Sequence, residues 1–385
     1  MRSTYLPFSP PLIGEEEIQA VVNTLKSDWI TTGPKVKQFE RDLIDFVGCP
    51  AALATASATD AMLVGLASLG VGQGDEVITT PMTFCSTAHV IEHLGAKPVF
   101  ADVTRDNLTI DPVKIAENIT PRTKVILPVH IYGHPCDMDP ILELARENGL
   151  AVLEDAAHAI SASYKGRNIG TLGDLTAFSF YATKNITTAE GGMLVGSADL
   201  IDEARLWSLH GMSRDAWTRY DEEGSWYYEV IRPGYKCNMT DIQASLGIPQ
   251  LQKIDAFQQV RRKIAETYNT AFADLEEITI PAESQDVISA WHLYAIRLNL
   301  DRLKINRSQF IEELKKRNIG ASVHFIPLHM QPYYRDKYNY APDDYPIAHE
   351  EYHKLISLPI NLRLSEGDLN DVIQAVHDVI NENRV

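Results

Sequence analysis

Between about residues 50 and 200, short apolar runs alternate with amphipathic stretches, the pattern of a mostly parallel sheet covered by helices. The runs AALATA (51–56), EVITT (76–80), KPVFADV (97–103), KVILPVH (124–130), LAVLED (150–155), LTAFSF (175–180) and GGMLVG (191–196) predict seven strands of one large sheet. One connecting helix is legible from its ends, with Asp139 as N-cap, Pro140 at the first helical position and Gly149 after the last turn. Ile141, Leu142, Leu144 and Ala145 form its buried stripe. From about residue 240 the alternation gives way to the helical stretch TDIQASLGIPQLQKIDAFQQVRRKIAETYNTAFADL, then to a smaller mixed segment ending at Val385. This change predicts a large domain over 1–250 and a small C-terminal α/β domain over 251–385. The proline-rich start, MRSTYLPFSPP, reads as an extended arm laid over the surface.

A chain of 385 residues, 45% hydrophobic and 23% charged, is long enough to bury a substantial core and divide in two. It carries neither a secretory signal nor an uninterrupted apolar run of membrane-spanning length, so a cytoplasmic protein is expected. The formal net charge of −17 disfavours nucleic acid and anionic membranes, and no cluster of Lys and Arg offsets it. A phosphate-bearing small substrate stays open, because helix N-termini and a few placed cations hold phosphate whatever the global charge. Cys49, Cys85, Cys136 and Cys237 are far apart and show neither a paired metal spacing nor a dense disulfide framework, which predicts reduced thiols.

The candidate chemistry centres on Asp155, at the end of LAVLED, and Lys184, just after LTAFSF and the turn YAT. Ligands of parallel sheets collect at the C-terminal strand ends, so both side chains face one crevice. Pyridoxal phosphate needs this pair of groups: an amine for a Schiff base and a carboxylate that keeps the pyridine nitrogen protonated. Taken alone, a strand-end Asp is more often a helix cap and a Lys more often solvated surface.

The surrounding strings change that balance. EDAAHA, FSFYATKNITTAEGG and ATASATDAM, with DWITTGPKVKQFE, VHIYGHPCDMD, GYKCNMTDIQAS, AWHLYAIRL and HFIPLHMQPYYR, cover nearly the whole chain and resemble the sugar aminotransferases of the DegT/DnrJ/EryC1/StrS family. The resemblance implies the fold of type I pyridoxal-phosphate enzymes, aspartate aminotransferase-like, with a large mostly parallel seven-stranded sheet domain and a smaller C-terminal one. It makes Lys184 the Schiff-base lysine, Asp155 the partner of the pyridine nitrogen and His158 a neighbour of the ring. Phe84 matches the aromatic that stacks on the ring, and Ser179 the phosphate-binding serine. In SATDAM (57–62), Ala58 and Thr59 open a helix whose first amides cradle the phosphate. Asn238, with Lys236 nearby, resembles a loop that reaches across a homodimer interface to the neighbour's cofactor phosphate. Trp29, Thr31 and Thr32, with His324 and His329, sit where relatives line the substrate opening. Without the resemblance, His158 reads as a satisfied core histidine, Ser179 as a cap of its own backbone and Phe84 as core. Zinc is set aside for His324 and His329, since their spacing across Pro327 suits no helical chelate and no carboxylate accompanies them.

Members of this scaffold that dehydrate sugars replace the lysine by histidine, so Lys184 favours transamination. Amino-acid aminotransferases require an arginine clamp, for which Arg297, Arg317, Arg335 and Arg363 are available. A third reading is a regulatory protein that senses metabolites without turnover. The resemblance favours a ping-pong transfer from glutamate, leaving 2-oxoglutarate and the pyridoxamine phosphate form, to a nucleotide-linked keto sugar. KNITTAEGG and GYKCNMTDI look most like members that aminate C4 of UDP-linked 4-keto sugars, with 3-keto sugars as the alternative.

Overall fold

The computed structural model describes residues 2–212 and 227–385. The first half runs through helices α1 (Glu15–Leu25), α2 (Pro34–Val47), α3 (Ala58–Ser68), α4 (Ser86–His93), α5 (Pro112–Asn118), α6 (Met138–Asn148) and α7 (Ala198–Ser208). Between them lie strands β1 (Ala51–Thr55), β2 (Glu76–Thr79), β3 (Lys97–Phe100), β4 (Thr123–Ile126), β5 (Ala151–Asp155), β6 (Ser163–Tyr164), β7 (Arg167–Asn168), β8 (Leu175–Ser179) and β9 (Gly192–Gly196). All seven predicted strands fall in one seven-stranded sheet, in the order β1-β9-β8-β5-β4-β2-β3, and only β9 runs against the rest.

Strand side chains alternate faces, so continuous apolar runs require cover on both sides. Ala52, Ala54, Ile78, Ile126, Val152, Phe178, Met193 and Val195 join Phe39 and Leu43 of α2 and Ile141 and Ala145 of α6 in one core. Their neighbours Leu53, Val77, Val125, Leu127, Leu153, Leu175, Ala177 and Leu194 join Met62 and Leu66 of α3 and Val90 and Ile91 of α4 in another.

Two local expectations are corrected. Helix α6 begins at Met138 with Asp137 as N-cap, two residues before the expected Asp139, while Gly149 closes it at φ 65° as predicted. Strand β4 stops at Ile126 instead of running to 130, because Pro128 has no N–H to continue a ladder and the chain turns at Tyr132, φ 62°.

Beyond residue 240 come α8 (Asp241–Gln252), α9 (Ile254–Phe272), β10 (Ile278–Thr279), β11 (Val287–Ile288), β12 (Tyr294–Leu298), α10 (Arg307–Lys316), α11 (Pro332–Tyr338), α12 (Pro346–Tyr352), β13 (Leu355–Leu358) and α13 (Glu366–Asn383). The antiparallel sheet β10-β12-β13 shares a further core with α9, α10 and α13, built on Tyr268, Phe272, Tyr294, Ile296, Phe310, Ile356 and Val376. The N-terminal arm does more than lie on the surface. Leu6 is buried in that core, exchanging backbone hydrogen bonds with Asn318 and Gly320, and Arg2 pairs with Asp368 and Asp371 of α13. No helix among the described residues is long and apolar enough to cross a membrane.

The register positions the site. Because β9 is antiparallel, its first residue Gly192 pairs with Thr55 and Ser179, the last residues of β1 and β8. A Cβ on Gly192 would stand 2.4 Å from the carbonyl of Ser57 and 2.5 Å from Ala58 N. Glycine here lets the sheet edge lie directly against the start of α3.

Candidate active site

A cavity of about 470 Å³ opens at this edge of the sheet, within the usual size of a small-molecule site. Asp155 ends β5 on its floor and is buried. Its Oδ2 accepts from Thr87 Oγ1 of α4 at 2.8 Å and its Oδ1 from Ala157 N at 3.1 Å. Burial raises its pKa against the pull of those two bonds. Lys184 enters from the turn after β8, its backbone N donating to Tyr181 O. Its Nζ makes no hydrogen bond among the described residues, and the residue lines the cavity. Burial lowers its pKa from 10.5 to about 8, with Asp155 opposing the shift. The amine is therefore partly unprotonated near neutral pH, as a nucleophile or proton carrier must be.

His158 stands three residues after Asp155. Its Nδ1 accepts from Tyr132 N at 3.2 Å, and burial drops its pKa well below the imidazole range, so the neutral ring carries its proton on Nε2. It packs on Phe325 at 6.0 Å and on His292 at 4.3 Å between centroids. His324, on the cavity wall, pairs through Nδ1 with Ser357 Oγ, stacks on Phe8 of the arm and is driven down to about 4 by burial. Phe84, 58% exposed and 6.0 Å from Phe325, presents its ring at the cavity mouth.

At the other end lies the start of α3. Ser57 caps it by accepting from Asp60 N at 3.0 Å, and Ala58 and Thr59, in the first turn, line the cavity with Ser179. First-turn amides have no partners within their helix and sit at the positive end of its dipole, a built-in anion seat.

Ala58, Thr59, Phe84, Asp155, His158, Ser179, Lys184 and His324 are thus brought to one cavity. Trp29, Thr31, Lys236 and Asn238 are not. They pack on one another nearby: Trp29 Nε1 donates to Thr32 O, Asp241 N to Thr31 O, and Asn238 Nδ2 to Thr32 Oγ1, while Lys236 donates to Asn238 Oδ1. His329 is turned away altogether. The short turn Leu328–Met330 after Pro327 buries it against Tyr345, with Nε2 on the Pro342 carbonyl. Conversely, Thr87, Glu190, His292 and Phe325 belong to the site or hold it, although none was singled out in the sequence. His292 lies within AWHLYAIRL and Phe325 follows His324 in HFIPLHMQPYYR, so only the fold distinguishes them from core positions.

Residues 11–377 match the DegT/DnrJ/EryC1/StrS aminotransferase family. The chain belongs to that family. Spore coat polysaccharide biosynthesis protein SpsC of Bacillus subtilis is 51% identical over 381 residues, 98% of each chain. Spr1654 of Streptococcus pneumoniae, assigned as a sugar aminotransferase and solved in its PMP form, superposes with a TM-score of 0.92 at 37% identity, covering 98% of this chain and 99% of that one. PseC of Helicobacter pylori, an aminotransferase involved in the biosynthesis of pseudoaminic acid, superposes at 0.91 with 30% identity, covering 98% and 100%. As a member of the DegT/DnrJ/EryC1/StrS family the chain is a sugar aminotransferase that uses pyridoxal phosphate. The cavity fits that cofactor chemically: a buried carboxylate with acceptor capacity to spare, an amine without a hydrogen-bond partner among the described residues, and a helix N-terminus.

Proposed function

We propose that this protein moves the amino group of glutamate to C4 of a nucleotide-linked 4-keto sugar, with a UDP-linked sugar as the preferred substrate, in the cytoplasm. Lys184 holds pyridoxal phosphate covalently, and Asp155 keeps its ring nitrogen protonated. The observation that carries this reading is the shielded, unpartnered amine of Lys184 sharing a cavity with the buried carboxylate of Asp155. When bound, the cofactor supplies a carbonyl carbon that captures amines and a ring that accepts electrons.

The remaining work falls to the protein. Lys184 Nζ, with its lowered pKa, takes the α-proton of the amino donor and later delivers one to the sugar carbon. Asp155, steadied by Thr87 and Ala157 N, offers the charge that stabilises a cation at the cavity floor. Neutral His158 and Phe84 supply flat faces for an aromatic ring. Ala58, Thr59 and Ser179 offer donors to a phosphate. His324 lies toward the substrate side. Asn238 and Lys236, outside the cavity of their own chain, serve the site of a second copy, and Trp29 and Thr31 pack against that loop. The active unit is then a homodimer with shared sites. A division into a cofactor domain to about residue 250 and a small domain beyond it is supported by the separate core, all of whose members except Leu6 follow residue 260.

The test is an assay of 2-oxoglutarate release from glutamate with a panel of UDP-, GDP- and dTDP-linked 3-keto and 4-keto sugars. The expected best substrate is a UDP-linked 4-keto sugar yielding a 4-amino product. A 3-amino product moves the reaction to C3, and inertness of the holoenzyme toward glutamate and every sugar rejects the reading.

A further inference from the structure

Behind the cavity wall formed by His158 and His292 lie two backbone segments held in unfavourable conformations. Tyr132 and Trp291, both bulky, lie at φ 62° and 46°, in the left-handed region that few residues other than glycine enter readily. Such conformations persist only where surrounding bonds over-determine them. Here Ala290 N donates to Gly133 O at 2.9 Å, Leu293 N to Tyr132 O at 3.2 Å and Ser289 Oγ to Gly133 O at 3.1 Å, so each strained segment braces the other. The result is delivered to the cavity: Tyr132 N meets His158 Nδ1, and the His292 ring lies against His158.

Arg261 locks the second segment from behind. It sits on α9, 2% exposed, and its Nη1 donates to the carbonyls of Trp291 at 3.2 Å, His292 at 3.4 Å and Ile360 at 3.2 Å. Its Nε has no partner, and no carboxylate pairs with it among the described residues. A buried cation without a counter-ion is costly and is retained here without any pairing of its own charge. Its field falls on His292, whose other facing groups are His158, Lys184 and His324, none of them acidic. Burial and these neighbours hold His292 neutral. Its Nδ1 meets Asn185 Oδ1 at 3.0 Å, and because Asn185 Nδ2 is committed to Ala290 O, the proton sits on His292 Nδ1.

We propose that Arg261, which does not line the cavity, is a positioning residue of the reaction: by clamping the carbonyls of Trp291 and His292 it keeps the His292 ring on Asn185, which sets its tautomer, and against His158, so that His158 in turn stays on Tyr132 N. The proposal rests on the cavity being the cofactor site, but its principal readout does not, since it is taken on the protein without cofactor. Histidine-labelled wild type is compared by ¹H–¹⁵N NMR with Arg261→Met and Arg261→Lys, each checked by thermal melting. Wild type shows His158 as a pure Nε2–H tautomer and His292 as a pure Nδ1–H tautomer between about pH 6 and pH 8. The Met variant shows mixed tautomers, a His292 that takes up protons closer to the ordinary imidazole range, and, when loaded, a kcat lower by about tenfold or more with a smaller change in KM. The Lys variant, which keeps the charge and a donor nitrogen but not the reach and planarity of the guanidinium, recovers part of both signals. A lowered melting temperature with unchanged histidine signals, or shifted signals with undiminished kcat, overturns the proposal. Should the Met variant not fold, the Lys variant decides by the same criteria. A wild type without turnover rejects the proposed function while leaving the histidine comparison intact.

Discussion

At the residue scale, Lys184 is a liability until something binds to it. Its folded pKa of about 8 lies below its ordinary 10.5, so between those values the unfolded chain holds a proton that the folded one does not. Stability without cofactor therefore rises with pH across that window, and the full penalty is borne below pH 8. Lys184→Met is expected to stabilise the cofactor-free protein at pH 7 by about 1–2 kcal/mol, less than the whole shift implies because cavity water screens the amine. The gain should fade above pH 10.5; urea titrations at pH 7 and above pH 10.5 check both signs. The same variant should lose the visible band of lysine-bound cofactor and all turnover. At Asp155 the lever is its support. Thr87→Val keeps the volume but withdraws the hydroxyl donated to Oδ2, and a bond to a charged group contributes about 1.5–3 kcal/mol. Cofactor affinity should fall at least severalfold by fluorescence titration, and an unchanged Kd would show that Thr87 does not tune the carboxylate.

At the scale of elements, the antiparallel strand β9 is what lets one sheet edge carry the whole site. Its first residue must lie against the start of α3 with no side chain between them. Gly192→Ala forces backbone atoms apart at 2.4 Å, a clash no rotamer relieves, and should destabilise the fold by about 1–3 kcal/mol. Because the displaced atoms belong to Ser57 and Ala58, the cofactor-binding Kd should rise more than that of a control variant of equal stability elsewhere in the sheet. Chemical denaturation paired with cofactor titration separates the two effects, and equal Kd values would detach this contact from binding.

At the scale of the molecule, Asn238 and Lys236 lie beside the site yet outside their own cavity, which suits donation to a second copy. Lys184→Ala and an Asn238→Asp chain, which places a negative charge where a neutral amide stood, should each be inactive alone. If Asn238 works in trans, a mixed dimer contains one site with both native residues, and activity returns on subunit exchange. A mixture that stays inactive, with exchange verified by native mass spectrometry, assigns Asn238 to its own chain.

The seven strands, the close of α6 at Gly149 and the meeting of Asp155 and Lys184 in one crevice were legible in the sequence, because apolar periodicity and strand-end chemistry are local properties. The site residues carried by motif, Ala58, Thr59, Phe84, His158 and Ser179, also converge on the cavity. Other features depend on contacts between distant segments. That β9 runs backwards and must begin with glycine follows from its pairing with β1 and β8, more than 130 residues apart at the outer one. Thr87 reads as an ordinary helix residue until β5 arrives beside it, and His292 as core until Tyr132, Trp291 and Arg261 bring it onto His158. His329 resembled His324 in its string, but the turn after Pro327 sent the two rings in opposite senses, one to the cavity and one to Tyr345. Periodicity determined which residues form the sheet, while only packing between segments far apart in the chain decided which side chains meet at its edge.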